Sequence, residues 1–266
     1  MRSVILWVLS GVLAWPQAPA SWTPELAMQV QTLASVVPSP DGKRVAWTQS
    51  KAAMTGEQSE WVSQIYLAGA DGAGRIQLTR HEKGARSPLF SPDGRFLYFS
   101  SPRSGKNNLW RIPADGGEAE MLTDWKGTLG RFAVSPCGKW VAFTGVEESA
   151  DDEKAKKEKR DFRVVGEKPP NHALWVIPAE TGADGKRTPK KAAGGPYHIE
   201  GFDWSPDSRF LAFERRPAPE ADLWTKADIS EVEIASGNVK AVAATAAAES
   251  SPDYSPDGRW IAFVTS

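Results

Sequence analysis

The side chains most often used in catalysis and metal binding are scarce in this 266-residue sequence. Its three histidines, His81, His172 and His198, stand at unrelated spacings and lack the H-x-x-x-H or H-E-x-x-H pattern that places two imidazoles on one metal ion. We interpret all three as structural. His81 is expected to be exposed in a polar loop, and His172 to belong to an insertion. His198 precedes a strand and could hydrogen-bond across a blade.

The other reactive residue types give no site either. The single cysteine, Cys137, excludes a disulfide within the chain and a zinc site built on several cysteines. The acidic run 151–153 lacks the alternating oxygen ligands and the glycine of a calcium loop. Neither a G-x-S-x-G string nor a glycine-rich phosphate loop between a strand and a helix occurs. We therefore predict no catalytic, cofactor-binding or metal-binding residue and no cofactor.

The composition indicates a folded protein without a strongly charged surface. Hydrophobic residues make up 41% of the chain, which also has 12 tryptophans, so a sizeable core can form. Lys and Arg number 32 against 33 Asp and Glu, for a net charge of −1. Because no basic excess is present to neutralise phosphates, nucleic acid is not an expected partner. The 23 glycines and 20 prolines indicate many tight turns.

The first twenty residues have the pattern of a secretory signal peptide. A positive start at Arg2 is followed by the apolar run 3–15 and by Ala18-Pro19-Ala20, a small-x-small cleavage site. An uncleaved anchor or a buried N-terminal helix is the alternative. No later apolar run approaches the ~18 residues that a membrane span requires. We therefore expect an exported protein, periplasmic or secreted, without a membrane span after cleavage.

One ten-residue pattern occurs five times, which indicates a repeat architecture. The copies are PSPDGKRVAW at 38–47, FSPDGRFLYF at 90–99, VSPCGKWVAF at 134–143, WSPDSRFLAF at 204–213 and YSPDGRWIAF at 254–263. Ser-Pro-Asp-Gly fits a type I turn with Ser at its first position, Pro at its second and Gly at its fourth. The apolar residues that follow show no polar alternation, which is typical of a strand buried on both faces.

Two copies depart from the pattern. Cys137 replaces the turn aspartate in the third copy, and Ser208 replaces the turn glycine in the fourth. A serine in the left-handed region costs about 1 kcal/mol. A redox or nucleophilic role for Cys137 is conceivable, but its counterparts are plain turn aspartates, so we favour a tolerated turn substitution.

The spacing between the copies predicts about four strands per repeat. A second apolar segment follows each of the first four copies, as at 108–112, and a turn comes after it. Short exit strands are predicted in three of these four repeats: 77–79, 121–123 and 240–242. Radially stacked four-stranded sheets form a β-propeller. We therefore predict an all-β fold, a propeller with repeats starting near 38, 90, 134, 204 and 254. A β-sandwich, the alternative, does not explain the long period.

Two segments fall outside the repeat. Residues 21–37 are predicted to form a helical lead-in, with Thr23 as N-cap and Pro24 at the first helical position. Residues 145–171 form an insertion with the mixed-charge core 147–160, which favours an exposed helix or a flexible excursion. A partner surface or a substrate-gating loop is the alternative for this insertion.

The repeats resemble the propeller repeats of the prolyl oligopeptidase family of serine peptidases. The segment 22–30 is similar to the opening of exported bacterial members, and 171–177, at the end of the charged insertion, also matches. Residues 196–207 look like the subgroup that includes acylaminoacyl-peptidase and dipeptidyl-peptidase-like enzymes. The resemblance covers nearly all of residues 22–266.

The resemblance implies two domains with different roles. In that family an N-terminal propeller filters peptide substrates and caps a C-terminal α/β-hydrolase domain, which holds the Ser, Asp and His triad. No residue of this chain matches a triad position or a peptide-binding motif, so none is carried over. The implied partners are peptide substrates, reached through a hydrolase domain that this chain lacks. The chain alone should be inactive, and its oligomeric state is left open.

The end of the sequence bears on the same interpretation. The chain stops three residues after the fifth copy, whereas propellers have ~4–8 closed blades. We therefore expect an incomplete propeller of about four blades plus the start of a fifth. A stand-alone periplasmic propeller that binds protein, like TolB, is the alternative. A small propeller enzyme such as a lactonase is disfavoured because no acidic or histidine cluster marks a central metal.

Overall fold

The computed structural model describes residues 22–55, 58–160, 169–182 and 185–266. The predicted signal peptide lies outside the described residues, as does the stretch 161–168 of the predicted insertion. The described chain forms four four-stranded sheets and one two-stranded sheet, which we number blades 1 to 5. Within each blade, strands that follow one another in the sequence pair antiparallel.

Each blade is built from strands that are consecutive in the sequence. Blade 1 contains β1 (Thr32–Pro38), β2 (Arg44–Thr55), β3 (Gln58–Gly69) and β4 (Ile76–Gln77). Blade 2 contains β5 (Arg86–Phe90), β6 (Phe96–Ser101), β7 (Asn108–Pro113) and β8 (Glu120–Met121). Blade 3 contains β9 (Thr128–Val134), β10 (Trp140–Val146), β11 (Ala173–Pro178) and β12 (Lys190–Ala193). Blade 4 contains β13 (His198–Trp204), β14 (Phe210–Arg216), β15 (Asp228–Glu233) and β16 (Val239–Ala243), and blade 5 contains β17 (Glu249–Tyr254) and β18 (Ile261–Thr265).

In the described ranges, three short helices accompany the blades. Helix α1 (Pro24–Met28) begins as predicted, with the Thr23 hydroxyl accepting from the Leu26 amide at 3.2 Å. Helix α2 (Ala150–Lys157) lies in the insertion between β10 and β11, which confirms the helical alternative for the charged core. A 3₁₀ helix (Ala221–Lys226) connects β14 to β15.

The repeated Ser-Pro-Asp-Gly segment forms the turn between the first and second strands of a blade. In blade 2 the Gly94 amide donates to the Ser91 carbonyl at 2.8 Å, and Gly94 has a φ of +69°. The Ser91 hydroxyl donates to Asp93 at 2.6 Å and accepts from the Phe96 amide at 3.0 Å. The bond from Ser91 lowers the pKa of Asp93 to about 2. The same bonds recur in blades 1, 4 and 5, so the predicted turn is confirmed.

Turns of successive blades lie against each other. A β-carbon added at Gly94 would be 3.7 Å from Cδ of Pro40, the turn proline of the preceding blade. Two further pairs show the same arrangement at 3.8 and 3.5 Å: Gly138 with Pro92, and Gly258 with Pro206. The turns therefore follow one another around the propeller in van der Waals contact.

The two turns that depart from the sequence pattern are also neighbours. Ser208 adopts a φ of +61°, and its hydroxyl accepts from the Cys137 amide at 3.0 Å. Cys137 Sγ lies 3.4 Å from the Ser135 hydroxyl, in the place of the carboxylate of the other turns. Cys137 is an exposed turn residue, as the interpretation of a tolerated substitution expects.

The second strands of blades 2, 3 and 4 are buried on both faces, as predicted. Nine of their hydrophobic side chains are at most 2% exposed: Leu97, Tyr98, Phe99, Val141, Ala142, Phe143, Leu211, Ala212 and Phe213. All of these except Ala212 belong to clusters that fill the spaces between adjacent blades. In blade 5 the equivalent strand β18 is open, with Phe263 40% and Val264 59% exposed.

The first strands form the inner wall of the propeller. Strand β1 contacts β5, β9 contacts β13, and β13 contacts β17, so these strands lie nearest a common axis.

Two sequence predictions need correction. Residues 32–37, assigned to a helical lead-in, belong to the inner strand β1, and blade 3 also has an exit strand, β12. The Lys-Lys-Ala-Ala sequence of β12 lacks residues that favour strands. This strand therefore forms because it pairs with β11.

Candidate functional site

The inner wall gathers polar and charged side chains where blade 4 begins. They come from β13, the end of β14 and the segment before β11: His172, His198, Glu200, Asp203, Glu214 and Arg216. We call these six residues the inner-wall cluster. Asp203 stands beside the Ser-Pro-Asp turn of blade 4, and the other five residues lie toward the opposite end of these strands.

A β-bulge at one equivalent place in every inner strand shapes this wall. The register between first and second strand shifts by one residue between Ala34 and Val37, Arg86 and Leu89, Leu129 and Phe132, Ile199 and Phe202, and Ser250 and Asp253. Ser35, Ser87 and Ser251 have φ of 50°, 54° and 55° at three of these bulges. A bulge redirects the side chains beside it. In blade 4 the bulge contains Glu200 and Gly201.

Two histidines join blade 3 to blade 4. The Nδ1 atom of His198 accepts a hydrogen bond from the His172 amide at 3.1 Å, and the two ring centroids are 4.8 Å apart. Because Nδ1 is an acceptor, the neutral ring carries its proton on Nε2, which donates to Glu200 at 3.2 Å. Burial lowers the pKa of both histidines. His198 thus forms a hydrogen bond, as predicted, and this bond joins two blades.

Glu200 links the histidines to Arg216. Its Oε2 atom accepts from Arg216 Nη2 at 2.6 Å, and its side chain is 54% exposed. Arg216 Nε is buried and has no hydrogen-bond partner among the described residues. The wall therefore presents an exposed carboxylate that is held by a mostly buried guanidinium.

Two further carboxyl groups of the cluster are protonated more readily than usual. Burial raises the pKa of Glu214, whose Oε2 accepts from the Ser251 amide at 3.3 Å. Burial also raises the pKa of Asp203, and the nearby carboxylate of Asp253 adds to the shift. Asp203 Oδ2 accepts from the Tyr254 amide at 2.9 Å. Both carboxyls thus connect blade 4 to blade 5.

This arrangement suits binding better than covalent chemistry. Its residues are acceptors, one guanidinium and two neutral imidazoles, and no serine hydroxyl or thiol is bonded to either imidazole among the contacts of the described residues. Within the described ranges, no group of three or more His, Cys, Asp or Glu side chains has the geometry to hold a metal ion. The cluster can accept hydrogen bonds from amide and ammonium groups that reach the axis.

Of the three histidines singled out in the sequence, the structure brings together His172 and His198. His81 lies far from them in the chain, after β4, and is half-buried instead of exposed: its carbonyl accepts from Gln64 Nε2 at 2.7 Å. The carboxylates Glu200, Asp203 and Glu214 were missed, because an acidic residue in a strand carries no local signal of the blades that will surround it.

Acidification is expected to weaken the contact between blades 3 and 4. The folded histidines have a lowered pKa, so between about pH 7 and pH 5 the unfolded chain, with histidine pKa ~6.5, binds more protons and stability falls as pH falls. His198→Asn keeps an acceptor for the His172 amide but cannot titrate. Melting temperatures across this range should fall less in the variant than in the parent.

The raised carboxyl pKa values of Glu214 and Asp203 act in the opposite sense, since they favour the folded state as pH falls toward them. The protonation of these carboxyl groups affects stability at more acidic pH than that of the histidines. Melting temperatures are therefore compared above about pH 5. Equal pH dependence of parent and His198→Asn would show that the histidine pair does not titrate in this window.

Comparisons with known proteins show that the chain is similar in sequence to peptidases. No known protein-family profile matches the chain. It is 29% identical over 229 residues to the uncharacterized peptidase YuxL of Bacillus subtilis, covering 85% of this chain and 28% of that protein. It is 28% identical over 271 residues to dipeptidyl-peptidase 5 of Porphyromonas gingivalis, covering 91% of this chain and 38% of that protein. The chain thus spans 28% and 38% of the lengths of these two curated relatives.

Solved structures share the fold. Acylaminoacyl peptidase of Pyrococcus horikoshii matches 86% of this chain and 35% of its own, with a TM-score of 0.59 and 14% identity. TolB of Acinetobacter baumannii matches 87% of this chain and 48% of its own, with a TM-score of 0.55 and 18% identity. The β-propeller fold is thereby confirmed, and so is the resemblance to the propeller portion of the prolyl oligopeptidase family. Among the described residues, no helix is long and apolar enough to cross a membrane.

Proposed function

We propose that this chain, a propeller related in sequence to peptidases, is the N-terminal propeller part of an exported serine peptidase that hydrolyses peptides. Its own role is to gate access of peptides and to dock an α/β-hydrolase domain. The observation that carries the proposal is the similarity to two peptidases over 85% and 91% of this chain, which accounts for only 28% and 38% of their lengths.

The inner wall supports the gating part of the proposal. A peptide that reaches a hydrolase domain along the propeller axis would pass the exposed carboxylate of Glu200, which Arg216 holds in place. This carboxylate can accept transient hydrogen bonds from backbone amides. A purely apolar wall would offer extended peptides no such contacts.

The open side of blade 5 supports the proposal that the chain is part of a longer protein. Phe263 is 40% exposed, whereas its counterparts Phe99, Phe143 and Phe213 are completely buried, and Trp260 beside it is 71% exposed. Beside them, Glu231, Lys240 and Tyr254 line an open cavity of about 470 Å³. Further strands pairing with β18 would cover this surface and remove the open sheet edge.

A comparison of the chain with its longer gene product tests the proposal. The chain alone is expected to hydrolyse no peptide in a mixed peptide library. A protein translated from the continuing reading frame should contain G-x-S-x-G followed by Asp and His, and should hydrolyse peptides in a reaction that a serine-directed inhibitor stops. Replacing the G-x-S-x-G serine with alanine is the matched control and should abolish that reaction.

One observation favours a second candidate, a stand-alone exported propeller that binds protein. The likeness to TolB extends over most of this chain in structure, but in sequence it reaches 39% identity only over 59 residues, 22% of the chain, for TolB of Bordetella pertussis. A natural stop codon after codon 266, with no hydrolase frame adjoining it, would overturn the peptidase proposal and favour this candidate. Hydrolysis by the chain alone would contradict both.

A further inference from the structure

Two carboxyl groups of blade 4 accept hydrogen bonds from the backbone of blade 5. Asp203 Oδ2, on β13, accepts from the Tyr254 amide at 2.9 Å. Glu214 Oε2, on β14, accepts from the Ser251 amide at 3.3 Å. Both amides belong to β17, the inner strand of blade 5. Two of the contacts that attach this strand to blade 4 therefore depend on titratable acceptors.

A further carboxyl group meets Asp203 across this junction. Asp203 and Asp253 occupy the same place in the repeat, two residues before the repeated serine, on the contacting inner strands β13 and β17. The other three blades have apolar residues at this place: Val37, Leu89 and Ala133. The Asp253 side chain lies within hydrogen-bonding reach of the Asp203 carboxyl. Because a carboxylate has no proton to donate, two carboxyl groups can bond to each other only when one of them is protonated.

The groups around this pair are mainly acidic. The Tyr254 hydroxyl donates to Glu231 of β15 at 2.5 Å, and Lys240 of β16 is paired with the same carboxylate at 2.6 Å. Asp207, in the turn after β13, adds a negative charge near Tyr254. Lys240 is thus engaged by Glu231, and the surroundings of Asp203 favour its uncharged form.

Both acceptors of blade 4 are protonated more readily than ordinary carboxyl groups. Burial raises the pKa of Asp203, and the charge of Asp253 raises it further. Burial also raises the pKa of Glu214, which is 9% exposed; the nearby Arg216 opposes this shift and Glu200 adds to it. The uncharged form of each group is therefore the one that the junction favours.

We propose that Asp203 and Asp253 hold one proton between them and that this proton stabilises the contact between blades 4 and 5. With the proton present, the two carboxyl groups bond to each other across the junction. Without it, two carboxylates face each other and repel, so β17 separates more readily from β13. Glu214 acts in the same sense, because its uncharged form is less costly to bury.

The sign of the pH dependence follows from the raised pKa of Asp203. The stabilisation is complete below the ordinary aspartate pKa of ~3.9 and is lost as the pH rises through the raised pKa of the pair. Blade 5 should therefore be held most tightly under mildly acidic conditions. The junction of blades 3 and 4 responds in the opposite sense, since the pKa of His198 is lowered in the folded state.

Hydrogen exchange at β17 tests the proposal. Opening at the Tyr254 amide, corrected for the intrinsic exchange rate at each pH, should become severalfold more frequent between about pH 4.5 and pH 7. The Ala85 amide donates to the Ser63 carbonyl at 2.8 Å between blades 1 and 2 and is the internal control. Its opening should not show this rise. A Tyr254 amide whose opening does not increase with pH, or an equal increase at Ala85, would overturn the proposal.

Single and double substitutions test whether the proton is shared. Asp203→Asn keeps an acceptor for the Tyr254 amide, and Asp253→Asn keeps the size of its side chain, but each removes one of the two charges. Either variant should open less often at pH 7 than the parent and with a weaker pH dependence. The double variant should behave like the single ones, because no repulsion is left to remove. Glu118→Gln, at an exposed carboxylate of blade 2, is the matched control and should respond to pH like the parent. Additive effects of the two Asp substitutions, or an unchanged pH dependence in Asp253→Asn, would contradict a shared proton.

Carbon-13 NMR of the carboxyl groups reports on the proton directly. If Asp203 and Asp253 share it, their signals should titrate together in two steps that belong to the pair. Two independent transitions, both near the ordinary aspartate pKa of ~3.9, would overturn the proposal. These measurements use the chain alone, so their outcome does not depend on the proposed peptidase function.

Discussion

Phe213→Ala is expected to lower the free energy of unfolding by about 3–5 kcal/mol, the cost of removing a fully buried aromatic ring. Phe213 is completely buried in β14, opposite Phe202 of the inner strand, and stacks on Tyr197 with ring centroids 6.4 Å apart. Its cluster fills the space between blades 3 and 4, where few neighbours can move to close the cavity. Urea unfolding followed by tryptophan fluorescence measures the loss.

The repeat offers a matched control for this substitution. Phe263 occupies the same position of the fifth copy but is 40% exposed. Phe263→Ala should therefore cost less than about 1 kcal/mol. Equal losses at the two positions would mean that burial in the space between blades does not decide the stability of the second strands.

Arg111→Ala is expected to cost about 2 kcal/mol. The Arg111 guanidinium donates to both oxygens of Glu180 in blade 3, at 2.6 and 3.0 Å, and to Glu120 of blade 2 at 2.7 Å. It also lies over the Phe96 ring at 4.6 Å. The cost stays below the ~3–5 kcal/mol of breaking a fully buried pair because both carboxylates are partly exposed and water takes over.

Two comparisons separate the geometry of this contact from its charge. Arg111→Lys keeps the charge but cannot contact both oxygens of Glu180, so it should recover only part of the lost stability. Arg209→Ala removes an exposed pair with Glu233 at 3.3 Å and should cost less than about 0.5 kcal/mol. Urea unfolding of the three variants checks the order. Full recovery in Arg111→Lys would show that charge alone joins blades 2 and 3.

Features that depend on a few adjacent residues could be predicted from the sequence. The turn from Ser91 to Gly94 needs only a proline, a short acceptor and a glycine, and all its bonds lie within six residues. The buried second strands followed equally directly from uninterrupted apolar runs such as 96–99. Five copies of one pattern then specify the radial stacking, because each sheet can be covered only by its neighbours.

Features that depend on contacts between blades could not be predicted in this way. The Cys137 amide finds its acceptor in Ser208, 71 residues later, so the two odd turns look unrelated in the sequence. The same holds for His172 and His198, whose bond joins two blades. The bulges did leave a signal that was overlooked. Ser35, Ser87 and Ser251 each stand four residues before the repeated serine, and all three adopt a left-handed φ.

The contact between the Gly94 turn and Pro40 has an evolutionary consequence. Both partners of this contact belong to the ten-residue pattern, so a duplicated gene segment brings with it the means to join its neighbours. Unequal recombination can therefore add or delete a whole blade without requiring compensating mutations at the junction. Lineages with this pattern are expected to differ more readily in blade number than in the sequence of the turn.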